Sequence, residues 1–243
     1  MELQNLPQHI AFIMDGNGRW AQGRGLIRLE GHRRGANTVQ TIIEACAELE
    51  IPYMTLWAFS TKNWKRSESE VSGLFNLMRE FFRKKLEELN KQGVKIRFIG
   101  DRSPEGGLPE DIRDIIAQVE EQTERNQKIT VAIALNYSGR SELLRAMKRW
   151  EADLKNSKNL ELSEDLFPQY LDTAGMPDPD LIIRTGGEQR LSDFLPWQTG
   201  DAELMFPEEY WPNFTKKELH KCLEAFGKRE RRFGGVTTQK NDS

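Results

Sequence analysis

Five apolar runs, each closed by glycine or a polar residue, alternate along this chain with longer segments whose apolar residues fall three and four positions apart. HIAFIM (9–14), YMTLWAF (53–59), VKIRFIG (94–100), ITVAIAL (129–135) and DLIIRT (180–185) read as strands. Several are apolar throughout, a pattern that suits strands covered on both faces. Between the second and third, Val71, Leu74, Phe75, Met78, Phe81, Phe82, Leu86 and Leu89 mark one side of a long amphipathic helix that ends before Gly93. Further helices are expected near 33–50, 109–125, 139–155 and 215–232, and AELMF (202–206) is a short candidate strand. Strands alternating with helices predict an α/β fold, a mainly parallel central sheet surrounded by helices. With no evident linker or repeat, the 243 residues are expected to form a single domain over 1–243. Residues 151–163 are expected as solvated loop and 236–243 as a flexible tail.

Bulk charge narrows the partners. The chain carries 35 basic and 38 acidic residues, a net charge of -3, so there is no overall attraction to nucleic acid or to an anionic membrane, and any anion site must be local. Cys46 and Cys222 are the only cysteines and have no metal-ligand spacing, which points away from zinc and from a disulfide framework. No stretch of about 18 apolar residues occurs. The expected setting is cytoplasmic.

In a parallel α/β sheet, ligands sit at the carboxyl ends of the strands. Those ends carry Asp15-Gly16-Asn17-Gly18-Arg19, Ser60-Thr61-Lys62-Asn63-Trp64-Lys65-Arg66, Asp101-Arg102, Asn136-Tyr137 and Arg184-Thr185-Gly186-Gly187. Gly16, Gly18 and Ala21 fit G-x-G-x-x-G/A, but Asp15 would repel a bare pyrophosphate, and the next strand ends in Ser60 instead of a ribose-binding acid. An acid beside a phosphate is reasonable when a hard cation lies between them, and magnesium commonly takes one or two carboxylates plus phosphate oxygens. Asp15 is then a candidate Mg2+ ligand, Gly16 and Gly18 let the backbone approach a phosphate, and Arg19 offers a forked donor. The competing reading is a tight turn with a solvated aspartate. Arg28, His32, Arg33 and Arg34, which follow closely, weigh against it.

A second strand runs into charge at DLIIRTGGEQRLSDF (180–194), where Arg184, Arg190 and Ser192 offer two guanidiniums and a hydroxyl to one diphosphate. A surface salt-bridge set through Glu188 is the alternative. Two such sites imply two phosphorylated substrates. Trp57, Phe59, Trp64, Phe75, Met78, Phe81 and Phe82 are either ordinary core or the wall of an apolar tunnel, and periodicity does not separate the two.

HIAFIMDGNGRWA, RLEGHRRG, LWAFSTKNWKRSESEV, IRTGGEQRLSDFLPWQTGDAEL and RERRFGG, in this order, resemble the cis-prenyltransferase (isoprenyl transferase) family, most of all its bacterial undecaprenyl diphosphate synthases, over residues 8–235. The resemblance implies condensation of an allylic diphosphate, usually farnesyl diphosphate, with successive isopentenyl diphosphates on a sheet that encloses an apolar tunnel. It implies Asp15 as the Mg2+ ligand and Asn63 as a residue that assists the reaction. Gly16, Asn17, Gly18, Arg19, Trp20, Arg28 and His32 are implied at the allylic diphosphate. Ser60 joins the substrate-binding set, Trp64, Arg66 and Glu70 match a closing loop, and Arg184, Arg190 and Ser192 match the isopentenyl diphosphate site. A homodimer is implied as well, with Glu203 near the partner's site as a second metal or substrate ligand and the tail from Arg229 reaching the same region. Transient membrane contact during product release, at the inner face, is the expectation for so apolar a product.

Asp193, Pro196, Gly200, Asp201 and Ser138 depart from the family's usual residues. The two extra acids are expected as solvated charges, with a weak second metal contact as the alternative. Two other functions remain open: a short-chain or head-to-middle coupling enzyme on the same fold, and a non-catalytic partner subunit. The intact Asp15 and Asn63 disfavour the subunit.

Overall fold

The computed structural model describes residues 3, 5–156 and 161–229. Six strands, β1 (His9–Ile13), β2 (Tyr53–Ser60), β3 (Val94–Ile99), β4 (Ile129–Tyr137), β5 (Leu181–Arg184) and β6 (Glu203–Met205), form one sheet in the order β3-β4-β2-β1-β5-β6. Every pairing is parallel. The helices are α1 (Asn17–Gln22), α2 (Arg28–Glu48), α3 (Glu68–Lys91), α4 (Glu110–Thr123), α5 (Gly139–Asn156) and α6 (Lys216–Gly227). All six sequence-read strands are present, including the short one.

Both faces of the sheet are covered, which explains the uninterrupted apolar runs. Along β1, Ile10 and Phe12 join a large cluster with residues of α2, α3, α4 and α6, whereas Ala11 and Ile13 point to a second cluster with Phe194 and Leu195. This is the two-residue alternation of a strand buried on each side. Burying a side chain such as Phe12 completely stabilises the fold by roughly 1.5–3 kcal/mol.

Four element bounds differ from expectation, one being the end of α6, which stops at Gly227 and not at 232. Helix α2 begins at Arg28, five residues early, because its N-cap is Ile27, which makes no side-chain capping bond and leaves no sequence signature. Helix α1 follows Gly16, which holds φ 98°, and is too short to show a period. Helix α5 runs to Asn156, through part of the stretch expected as loop. The expected tail and the closing motif beyond Arg229 lie outside the described residues.

Helices α1 and α2 pack unusually closely. A Cβ at Gly31 would lie 1.9 Å from the Asn17 carbonyl oxygen, and one at Gly35 would lie 2.2 Å from Asn17 Oδ1. Two glycines one turn apart on α2 therefore let the first loop sit against it and bring His32, between them, under that loop.

Candidate active site

The strand order reverses at β1. The chain moves from β1 to β2 on one side and returns to β5 on the other, which opens a crevice at the carboxyl ends of β1 and β5. Ile13 pairs with Arg184 in register, so the strand that delivers Asp15 and the one that ends in Arg184 are immediate neighbours. A cleft of about 380 Å³ opens there. Asp15, Asn17, His32, Ser60, Asn63, Arg66, Arg184 and Ser192 line it, with Met14, Lys62 and Trp211 among others.

Asp15 is tied down from every direction. Its carbonyl accepts hydrogen bonds from Thr185 Oγ1 (2.8 Å) and from the Trp211 N–H (2.9 Å). Its Oδ1 accepts from the Gly16 N–H (2.6 Å) and lies 3.2 Å from Arg19 Nη2, and Oδ2 accepts from Arg184 Nη2 (2.8 Å). Burial opposes ionisation of this carboxyl, but the Arg184 hydrogen bond, the Gly16 N–H and the charges of Arg184 and Arg19 outweigh it and hold it below the ordinary carboxylate range. Arg184 is 5% exposed and also donates to the Arg190 carbonyl (2.5 Å) and Ser192 Oγ (2.9 Å), joining the two phosphate-site loops. Its Nε is buried without a partner.

The remaining charges form two chains along the rim. Arg190 pairs with Glu188, which also holds Arg19 (3.3 Å). On the other side Glu70 receives both Arg66 (3.0 Å) and Arg28 (3.4 Å). Glu188 thus makes the salt bridges that the alternative reading required, and Arg19, Arg190 and Arg28 flank the cleft without lining it, tied to the lining residues Asp15, Arg184 and, through Glu70, Arg66. His32 has a buried Nε2 with no partner, and burial together with the charge of Arg66 lowers its pKa to about 4, so the ring is neutral and its nitrogen unused.

Other expected residues lie apart from the cleft lining. Trp20 donates its indole N–H to Asn213 Oδ1 (2.8 Å) and carries Arg24 on its ring face. The side of Gly18 faces the Arg28 guanidinium, 2.6 Å from where a Cβ would be. Gly16 is crowded by Tyr210, whose ring also lies 5.2 Å from the Arg19 guanidinium carbon. Glu203 opens edge strand β6, aligned with Leu181 and hence with Ile10, so within one chain it stands toward the opposite end of the sheet from Asp15 and pairs with Arg229. Of the strand ends, Asp101 accepts from Ser103 and Arg102 pairs with Glu120, and neither lines the cleft. The sequence reading counted Thr185 among the strand-end residues without a role and passed over Tyr210 and Trp211; the partners of all three lie some 170–195 positions earlier and leave no local signal.

The departures have structural places. Asp193 is not simply solvated: its Oδ1 accepts from the Arg140 N–H (3.1 Å) and its carbonyl from the Gly139 N–H (2.8 Å), fastening the loop to the start of α5. Pro196 packs where a Cβ on Gly139 would be, at 2.0 Å. Ser138 Oγ accepts from the Ser141 N–H (3.4 Å). Asp201 faces Asp178, whose carboxyl is raised by burial and by that charge.

Beneath the cleft lies a second space of about 140 Å³. Its lining is wholly apolar: Met14, Ala36, Val39, Leu56, Ala58, Phe59, Leu74, Phe75, Leu77, Met78, Phe81, Phe82, Ile133 and Leu135. Met14, Ala36, Val39, Ala58, Phe59, Leu74 and Leu77 line both spaces, so they are continuous. The aromatic set therefore divides, with Phe75, Met78, Phe81 and Phe82 on the cavity wall and Trp57 at the cleft.

Asp15 is the one acid in the cleft lining, and among the described residues no group of three or more His, Cys, Asp or Glu side chains gathers to hold a metal. That donor set suits a cation which takes a single protein carboxylate and completes its shell with phosphate and water, as magnesium does. It does not suit zinc or calcium.

The chain matches the undecaprenyl diphosphate synthase model of the prenyltransferases over residues 13–234. An isoprenyl transferase of Rhizobium meliloti is 48% identical over 235 residues, spanning 96% of this chain and 94% of that protein. A ditrans,polycis-undecaprenyl-diphosphate synthase of Legionella pneumophila, described as (2E,6E)-farnesyl-diphosphate specific, is 42% identical over 234 residues, 96% and 97% of the two chains. The crystal structure of lavandulyl diphosphate synthase from Lavandula x intermedia, in complex with dimethylallyl diphosphate, superposes with a TM-score of 0.89 at 35% identity, covering 94% of this chain and 98% of that one.

Proposed function

This chain belongs to the undecaprenyl diphosphate synthase family of prenyltransferases, and we propose that it joins isopentenyl diphosphate units to farnesyl diphosphate to make a long polyprenyl diphosphate, the undecaprenyl carrier lipid of cell-wall synthesis. Extension of a prenyl chain with cis geometry is the family's reaction and this chain's. The observation that carries the substrate reading is the continuity of two unlike spaces, a charged cleft at the strand ends and an apolar cavity below it. A molecule with a diphosphate head and a hydrocarbon tail is the natural occupant.

In this reading Arg19, Arg28 and His32 receive the allylic diphosphate, with the free Nε2 of His32 available to it. Asp15 would hold Mg2+, which when bound supplies positive charge to the departing diphosphate. Arg184, Arg190 and Ser192 hold the isopentenyl diphosphate head. The hydrogen bonds that join Arg184 to both Asp15 and Ser192 support placing the two heads side by side. Asn63 lines the cleft beside Ser60, from whose N–H it accepts a hydrogen bond, and the segment bearing Trp64 and Arg66 excludes water from an ionising allylic carbon. The growing tail descends between Leu74, Met78 and Phe81.

A homodimer is part of the proposal. Glu203 lies away from Asp15 in its own chain, and Leu144, Met147 and Trp197 are exposed large hydrophobics on α5 and the loop fastened to its start. Among the described residues no helix is long and apolar enough to cross a membrane. We place the protein in the cytoplasm, with brief contact at the membrane when product leaves.

Lavandulyl diphosphate synthase shares the fold, so short-chain or head-to-middle coupling is the second reading. The test is incubation with farnesyl diphosphate, labelled isopentenyl diphosphate and Mg2+, with and without chelator, and resolution of products by length and double-bond geometry. The proposal expects a metal-dependent ladder of cis products ending at one length. Products that stop after a single coupling, or branched products, would select the second reading.

A further inference from the structure

We propose that Asn136 is a positioning residue that holds the segment 61–66 over the cleft by gripping the indole of Trp64. Asn136 is the penultimate residue of β4 and sits in a bulge. In the β2–β4 register Phe59 pairs with Leu135 and Ser60 with Tyr137, so Asn136 has no partner across the ladder. Its φ is 51°, in the left-handed region that asparagine tolerates better than most residues. A bulge of this kind bends the strand and re-aims one side chain, and bulges gather beside functional sites.

The re-aimed amide is 2% exposed and fully used. Its Nδ2 donates to the Asp101 carbonyl (3.0 Å) and the Gly106 carbonyl (2.8 Å), and its Oδ1 accepts from Trp64 Nε1 (2.8 Å). Two carbonyls on the nitrogen side fix the orientation of the amide, so the oxygen must face Trp64. An indole N–H can only donate, and the match is complete. Aspartate could not substitute, since it would set a carboxylate against two carbonyl oxygens.

The grip matters because of what else ties the segment down. Asn63 accepts from the Ser60 N–H, Lys62 N–H donates to Ser60 Oγ, and Arg66 pairs with Glu70. These bonds stay within residues 60–70. The Trp64 indole is the side chain in this stretch whose hydrogen bond reaches a distant part of the sheet. Its ring lies 5.1 Å from Phe59 and 5.5 Å from Phe75, both on the cavity wall, and its neighbours Asn63 and Arg66 line the cleft. Asn136 thus couples the loop 101–106, which has no side chain in the cleft, to the segment that does.

This inference rests on the proposed closing role of 61–66, and the experiment separates the two. Trp64→Phe removes the donor and keeps most of the ring. Asn136→Gly keeps the left-handed backbone and removes the amide. Hydrogen exchange of the substrate-free protein is expected to quicken roughly 3–10-fold across 61–66 in each variant and in the double variant alike, with β1 and β5 unchanged. The prenyl-transfer assay is expected to show a comparable fall in kcat/KM for isopentenyl diphosphate, and the double variant should be no worse than the poorer single one. Unchanged exchange in 61–66, or losses that multiply in the double variant, would overturn the grip. Faster exchange with kcat/KM intact would retain the bond between the two residues and overturn its part in closure, and with it the closing role of the segment.

Discussion

The cleft and the cavity beneath it share seven residues and are built on opposite principles. Around the cleft the charges are paired into two chains: Arg190, Glu188, Arg19, Asp15 and Arg184 form one, and Arg28, Glu70 and Arg66 the other. In the cavity no lining side chain carries a charge or an N–H or O–H donor. A diphosphate entering the rim exchanges one set of anions for another around the same arginines, so the geometry is prepared before substrate arrives. A hydrocarbon entering the cavity meets only shape and apolar surface, with no directional contact to stop it at a given length. On the proposed function, changes in the rim are expected to alter rate and changes in the cavity to alter product length.

Removal of the Asp15 carboxylate should have the largest effect. Asp15→Ala is expected to lower kcat/KM by roughly 10²–10³-fold in steady-state assays with Mg2+, while binding of the allylic diphosphate measured by calorimetry weakens much less. Near-normal turnover would place the rate-determining charge elsewhere. Arg184→Lys keeps the charge but cannot fork to Asp15, Ser192 and the Arg190 carbonyl together, and should raise KM for isopentenyl diphosphate by about 10-fold or more. An unchanged KM would mean that this arginine only braces Asp15.

Acid should expose a difference between rim and foot of the sheet. His9 is buried at the start of β1, its ring nitrogens on the Pro177 carbonyl and Thr55 Oγ1, and burial lowers its pKa to about 4. A histidine depressed in the fold takes its proton more readily when unfolded. Its contribution is complete above pH 6.5 and drains as pH falls from 6.5 toward about 4, on the order of 3 kcal/mol for a group so deeply buried. Urea denaturation at pH 7.5 and pH 5 should show the loss, and a flat profile would mean that the ring takes up its proton as readily in the fold as in the unfolded chain. Below that window the lowered Asp15 carboxyl adds its own loss as pH drops through its folded pKa.

The cavity is probed by Phe81→Ala, which takes a ring from its wall. Product chromatography should show chains longer by at least one unit with kcat within a few-fold, and an unaltered length would put the tail elsewhere. The smallest effect belongs to Glu188→Gln. Its ion pairs are exposed, so the thermal midpoint should move by no more than a few degrees, while release of Arg19 and Arg190 lowers KM for the phosphorylated substrates.

Much of this was written locally. Strand runs buried on both faces and helices of regular period specify a parallel sheet, and the polar residues after each run are delivered to one end of it because parallel strands share a direction. Asp15, Asn63, Arg184 and Ser192 were legible for that reason, together with their place in ordered motifs. What tertiary structure decided is which ends meet. Strand order put β5 beside β1 and left β3 at the edge, so Arg184 reaches Asp15 while Asp101 and Arg102 stay outside. It set Thr185, Tyr210 and Trp211 around a residue far away in the chain, and it turned part of one helix face into a cavity wall instead of a packed core. No period distinguishes these outcomes, because apolar spacing records which side chains avoid water and not whether another side chain or a substrate keeps the water away.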